Sequence, residues 1–144
     1  MIKIICVGKI KENYLKEGIN DYLKRINKYH KTILIELPDS NPDNEAKEIS
    51  KYLDNKDYII SLAIEGVSLS STQLSEKIDN TFINYPNITF IIGGSYGISD
   101  TIKNKSNYKL SFSKLTYPHG LFRLILLEQI YRSFKIINHE TYHK

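Results

Sequence analysis

Cysteine is nearly absent from this chain, with Cys6 the only one among 144 residues. A disulfide framework is therefore excluded, and so is a thiolate cluster around a metal. Cys6 lies in the apolar run Ile2-Lys3-Ile4-Ile5-Cys6-Val7, where a free thiol is expected to be buried and inert. Long hydrophobic runs are missing too. No stretch of 18 apolar residues occurs, and a strand pattern begins directly after Met1. Neither a membrane span nor a signal peptide is expected, which makes the cytoplasm the default compartment. His30, His119, His139 and His143 have no second ligand at helical or hairpin spacing, so no metal site is expected. Internal repeats and low-complexity linkers are also lacking, so residues 1–144 read as a single domain with room for a core.

Acidic charge is scarce in one half only. Residues 1–72 hold 11 basic and 11 acidic side chains, whereas residues 73–144 hold 9 basic and 5 acidic. The whole net charge of +4 thus comes from the C-terminal half. That distribution suits a polyanionic partner such as RNA, and it equally suits a solvated lysine-rich surface.

Strand and helix patterns alternate along the chain. Ile2–Val7, Thr32–Leu37, Tyr58–Ile64, Ile88–Ile92 and Tyr108–Ser111 read as strands. Between them, helices are expected at about Asn13–Asn27 (Asn13 capping), Glu45–Leu53, Thr72–Phe82 (capped by Ser70 or Ser71) and Ser99–Asn104. Residues 39–44 read as a turn. A long final helix is expected at about His119–Ile137, with Pro118 at its start. This order argues an α/β fold with an open, mostly parallel sheet flanked by helices, and ligands outside the carboxyl ends of the strands.

Three segments could carry chemistry. Gly93-Gly94-Ser95-Tyr96-Gly97 follows a buried strand, and is either a tight turn or a place where backbone approaches a ligand. It is neither a dinucleotide fingerprint nor a P-loop, and only Glu36 or Asp39 could hold a ribose at the second strand. Residues 110–117 interleave hydroxyls with apolar side chains. They either line an adenine pocket or cap the following helix, and His119 is likewise a cap or a ligand contact. The final helix is apolar over too wide an arc to be one-sided, so one face should pack on the sheet and the remainder on a second subunit. Glu128 and Arg132 are spaced as an i,i+4 pair, while Arg123 and Arg132 could instead meet phosphate. The chain then ends on Tyr142-His143-Lys144, an unusual composition for a terminus.

The segments IIGGSYG, LSFSKLTYPHG, LLEQIYRSFKI and YHK, in this order, closely resemble the RlmH family of SPOUT methyltransferases. The N-terminal MIKIICVGKIKENYLKEGINDYLKRI and the central SLAIEG fit as well, so the resemblance spans nearly the whole chain. It implies a C-terminal deep trefoil knot and a homodimer. It also implies S-adenosylmethionine-dependent methylation of N3 of a pseudouridine in 23S ribosomal RNA, on assembled ribosomes. By matching position, the cofactor contacts implied are Leu62, Gly93, Phe112, Ser113, Lys114, Leu115, Thr116 and Tyr117. The catalytic contributors implied are His119, Arg132, Tyr142 and His143, with His143 favoured as proton acceptor and basic groups such as Lys103 and Lys105 holding phosphate. In the knotted fold the polar tail is expected to emerge beside the cofactor loops. Two departures stand out: the region between Pro38 and Leu53 is short for the family, and Gly120 replaces the usual Gln or Pro. The competing readings are a ribosome-binding dimer without turnover and a knotted methyltransferase with another RNA target.

Overall fold

A computed structural model describes residues 1–144. Its elements run β1 (Ile2–Val7), α1 (Asn13–Asn27), β2 (Thr32–Leu37), α2 (Pro42–Ser50), β3 (Asp57–Ser68), α3 (Ser71–Asn84), β4 (Asn87–Ile92), α4 (Asp100–Lys105), β5 (Tyr108–Ser111) and α5 (His119–Ile137). The five strands form one sheet in the order β2-β1-β4-β3-β5, and every pairing is parallel. The alternation of apolar strand and helix patterns forces this arrangement, because parallel neighbours need a crossover helix on one face or the other. No helix is long and apolar enough to cross a membrane.

Each face of the sheet has its own core. On one face Ile2, Ile4, Ile60, Ile88 and Phe90 pack with α1, α3 and α5 residues, among them Ile26, Ile78, Leu127 and Ile130. On the other, Ile5, Val7, Ile59 and Ile91 pack with Ala46, Ile49 and Ile102 of α2 and α4. The central strands β1 and β4 are therefore apolar on both sides. Cys6 is wholly buried, and burial pushes its thiol up to about 12, leaving it inert.

Helix ends account for most differences from the sequence reading. Asn13 is the first helical residue of α1 and caps nothing; Glu12 precedes it without a side-chain capping bond. Helix α2 starts earlier than its periodicity suggests, because Asn41 accepts from the Asn44 amide and Pro42 occupies the first turn. Ser70 caps α3 in a reciprocal box: its Oγ accepts from the Gln73 amide at 3.1 Å, and Gln73 Oε1 accepts from the Ser70 amide at 2.8 Å. Pro118 serves as the cap position of α5, with His119 as its first residue.

The apolar girth of α5 has an explanation within the chain. The helix lies between α1 and α3, so both flanks as well as its sheet face are covered. A second subunit is not needed to cover most of it, although Leu121 on α5 and Tyr14 on α1 keep exposed apolar surface. Gly120, the departure noted above, sits where a Cβ would come within 2.8 Å of Leu15 Cδ1, so glycine lets α1 approach closely.

At the amino ends of the strands, Lys3 and Asp57 form a buried ion pair at 2.5 Å. Lys3 Nζ also donates to the Tyr52 carbonyl at 2.7 Å, and Asp57 accepts from Asn87, Thr89 and the Asp54 amide. Burial alone pushes the Asp57 carboxyl up, but hydrogen bonds from Lys3, the Asp54 amide and Asn87 outweigh it and hold the group below its ordinary value. Since the folded-state value lies below the unfolded one, the stability it contributes is complete above the ordinary carboxylate pKa of about 3.9. That contribution disappears as pH falls through the depressed folded value. Asp57→Asn should lower unfolding free energy at pH 7 by about 3–5 kcal/mol by leaving Lys3 buried and unpaired. Urea titrations across pH 2–7 should show a shallower acid dependence for the variant than for the parent.

Candidate functional site

A cavity of about 420 Å³ opens at the carboxyl ends of β3, β4 and β5. Three chain segments build it. The first is a break in β3: pairing with β5 runs to Leu62 opposite Leu110, then resumes with Val67 opposite the same Leu110. The residues between are looped out, which puts Ala63 and Ile64 on the cavity wall beside Leu62. Sequence periodicity does not show this break, since it is a matter of register with a partner strand.

The second segment is Ile92–Ile98. The Gly97 amide donates to the Gly94 carbonyl at 2.9 Å, closing a tight turn. A Cβ on Gly93 would lie 2.6 Å from the Gly97 carbonyl carbon and 2.8 Å from the Ile98 nitrogen. Only glycine fits there, because the turn folds its own main chain against Gly93, which is the tight-turn reading of this motif.

The third segment is Ser111–Tyr117. Its hydroxyls do not cap α5, which has no side-chain capping bond. Instead Ser113 Oγ accepts from the Leu115 amide at 2.9 Å, and Ser111 Oγ donates to the Ser113 carbonyl at 3.2 Å, folding the loop on itself. Phe112 and Tyr117 pack on Phe122 with ring centres 5.3 and 5.7 Å apart, which anchors the loop to the first turns of α5.

Of the residues anticipated as cofactor contacts, Leu62, Gly93, Phe112, Ser113, Leu115, Thr116 and Tyr117 all line this cavity; Lys114 is exposed and does not. The lining mixes apolar walls with a few hydroxyls and backbone groups. Such a site fits a flat aromatic ring carrying a polar edge, and the glycine turn contributes main chain to the lining.

The four anticipated catalytic residues are not gathered. His119 lines the cavity, whereas Arg132, Tyr142 and His143 form a separate cluster. His119 and Arg132 are about 20 Å apart along the helix axis, at about 1.5 Å per residue. Within one chain, then, the tail does not lie beside the cofactor loops. It folds back on α5 and α1, with the Tyr142 ring edge-on to Tyr131 at 5.0 Å and the Arg132 guanidinium 4.9 Å from the Tyr142 ring centre.

Glu128 organises this cluster. Its Oε1 accepts from Arg132 at 2.6 and 3.0 Å and from the Tyr142 hydroxyl at 3.2 Å. Burial, the neighbouring Tyr22 hydroxyl and the Glu128 charge push the Tyr142 phenol up to about 12. It is therefore a donor at neutral pH, unsuited to take a proton. Arg132 Nη1 lies 3.1 Å from His143 Nδ1. A guanidinium only donates, so Nδ1 accepts and the neutral ring carries its proton on Nε2. In this arrangement His143 presents an N–H to solvent, and its lone pair is occupied.

Arg123, proposed above as a phosphate contact, is wholly buried. It donates to Glu36 Oε2 at 2.7 Å and to the Val7 and Gly8 carbonyls at 3.1 and 2.7 Å. Glu36 is thereby committed to structure and not to a ribose. Lys103 and Lys105 are engaged too, with Glu65 and Ser50.

A family model described as "predicted SPOUT methyltransferase" matches residues 1–143. Ribosomal RNA large subunit methyltransferase H of Enterococcus faecalis is 45% identical, over 99% of both chains. The putative ribosomal RNA large subunit methyltransferase H of Methanococcus maripaludis is 48% identical, again over 99% of both. Among solved structures, a probable methylase family protein from Haemophilus influenzae shares the fold with a TM-score of 0.59 and 14% identity, covering 99% of this chain and 70% of that one. The TrmH/SpoU tRNA modifying enzyme of A. aeolicus gives 0.51 and 10%, covering 95% and 77%.

Two glycines separate backbone constraint from ordinary packing. Gly93→Ala should cost about 1–3 kcal/mol in denaturant unfolding, because the clash is with main chain. Gly120→Ala should be near neutral, since the flexible Leu15 tip can move and alanine gains about 1 kcal/mol of helix propensity.

Proposed function

This chain belongs to the SPOUT methyltransferase family, and from that premise we propose that it methylates N3 of a pseudouridine in 23S ribosomal RNA, on assembled ribosomes in the cytoplasm, as a homodimer. Its cofactor is S-adenosylmethionine, and the cavity at β3, β4 and β5 fits it. The observation that carries the site assignment is the Gly93 turn facing the Phe112–Tyr117 loop across an apolar cavity. Leu62, Phe112 and Leu115 would hold the adenine faces, with the 93–98 turn and Thr116 offering polar atoms at its edge. Lys114 would act from outside the cavity, as a cation near the RNA.

When bound, S-adenosylmethionine supplies an electrophilic methyl group whose sulfonium sulfur leaves as a neutral thioether. Everything else falls to the protein. An imide nitrogen attacks only once it has given up its proton, so a group at the cavity must accept it. His119 is the imidazole at the cavity wall, and a neutral ring nitrogen there can take the N3 proton. Tyr142 is held protonated, and His143 is engaged with Arg132, so neither is a free base in this chain.

The tail cluster lies too far along α5 to reach its own cavity, which supports a second copy as the source of any tail contact. Exposed Leu121 and Tyr14 on α5 and α1 give such a copy apolar surface to cover. The C-terminal knot belongs to the same proposal. After β5 at the sheet edge the chain returns to set α5 between α1 and α3, with Arg123 bonded to the end of β1. A threaded segment would produce that arrangement. The excess of basic side chains in residues 73–144 suits a phosphate-rich partner.

Calorimetry should show S-adenosylmethionine binding one site per chain, and tritium transfer from the labelled cofactor should appear on ribosomes lacking the modification. His119→Ala should reduce turnover by about 10²–10⁴-fold with little change in cofactor affinity. A variant with unchanged turnover would remove His119 from the proton transfer and return that role to His143, tested by His143→Ala in the same assay.

A further inference from the structure

A second cavity, of about 270 Å³, adjoins the first. The two share Leu110, Phe112 and Tyr117 as common walls, and Leu74 of α3 and Ile125 of α5 line the second alone. Two polar side chains joined by a direct hydrogen bond form part of its lining, Ser71 at the start of α3 and Gln129 on α5, with Ser71 Oγ 2.7 Å from Gln129 Oε1.

The donor and acceptor pattern here is determined by the tail cluster. Gln129 Nε2 lies 2.9 Å from Glu128 Oε2. A carboxylate only accepts, so the amide nitrogen must face it, and the amide oxygen must face Ser71. Ser71 is therefore the donor to Gln129, which leaves its own lone pairs unused. Gln129 keeps a second N–H without a partner in the protein. Of these two polar side chains lining the cavity, Ser71 thus keeps a free acceptor at Oγ and Gln129 a free donor at Nε2. That is the complement of a neighbouring N–H and C=O on a planar ring. Glu128 cannot rotate away from this role, since Arg132 and Tyr142 hold its other oxygen.

Resting on the pseudouridine reading above, we propose that the N1–C2 edge of the target base enters this second cavity, with N3 left towards the first cavity and His119, and that the second cavity selects pseudouridine over uridine. In pseudouridine the glycosidic bond is to carbon, so N1 carries a hydrogen next to the C2 carbonyl. In uridine the same nitrogen carries the ribose. Ser71 Oγ accepts from N1–H, and the free Gln129 N–H donates to the C2 oxygen. The same donor stabilises the negative charge that reaches that oxygen when N3 loses its proton. Gln129 and Ser71 are specificity residues under this assignment, and Glu128 is a positioning residue that sets the polarity of the amide.

The test uses ribosomes carrying pseudouridine at the target and ribosomes from cells lacking the isomerising enzyme, which carry uridine there. The full-length parent, Gln129→Met and Ser71→Ala are compared in methyl transfer, and S-adenosylmethionine affinity is measured by calorimetry. Both variants should lose on the order of 10²-fold in kcat/KM on pseudouridine ribosomes, and most of the preference over uridine, with cofactor Kd within about twofold of the parent. Ser71→Ala removes a single half-buried hydroxyl and keeps the test valid if Gln129→Met fails to fold. Unchanged selectivity in both variants overturns the proposal. So does a rise in cofactor Kd that matches the loss in kcat/KM, which would assign the cavity to the amino-acid end of S-adenosylmethionine. A parent protein that binds cofactor but transfers nothing to either ribosome overturns the function on which the proposal rests.

Discussion

The buried guanidinium of Arg123 holds together parts of the chain that are distant in sequence. It binds the Glu36 carboxylate from the end of β2 and the Val7 and Gly8 carbonyls from the end of β1. Its own position is in the second turn of α5, shortly after the loop that lines the cavity. Removing such a cation from water is costly, and only a matched set of acceptors offsets the cost. The Nε atom is left without a partner, so the match is incomplete. What the arrangement secures is placement. With α5 bolted to β1 and β2, Phe122 presents its ring to Phe112 and Tyr117, and the loop between β5 and α5 becomes a wall of the cavity.

From that anchor the helix runs between α1 and α3 and carries two further sets of polar groups on different faces. Gln129 faces the second cavity with Ser71, while Glu128 and Arg132 hold the tail. Adjacent residues on a helix point in directions about 100° apart, so Glu128 and Gln129 serve different surfaces and still share a hydrogen bond. Through that bond the orientation of one amide depends on a carboxylate, and the carboxylate on an arginine and a phenol. A chain of obligate donors and acceptors of this kind leaves little freedom to its members, and groups that recognise a ligand benefit from being ordered beforehand.

Much of this was legible in the linear pattern. The five strands and their flanking helices follow from period-two and period-3.6 apolar spacing, and the loops that form the cavity follow from the glycine pair and the mixed Ser/aromatic run. Helix ends were less so. Asn13 looked like a cap and is not one, because a capping role depends on backbone dihedrals that residue type only favours. Pro42 and Asn41 carried a readable start signal for α2 that the periodicity of the following residues obscured. The role of Arg123 is not legible for a physical reason: an arginine destined for phosphate and one destined for buried acceptors have the same side chain, and its acceptors lie 87 to 116 residues away in the chain.

The sequence by itself determined the element order, the parallel α/β class, the family and the loops that line the cavity, because these depend on local spacing and on motifs contiguous in the chain. Tertiary structure alone decided which groups meet. It divided the anticipated catalytic residues between the cavity and a separate tail cluster, broke β3 to expose Ala63 and Ile64, and covered α5 from within the chain. It also oriented Gln129 by way of Glu128. Contacts of that kind depend on strand register, helix rotation and obligate hydrogen-bond polarity, none of which leaves a periodic trace in the order of residues.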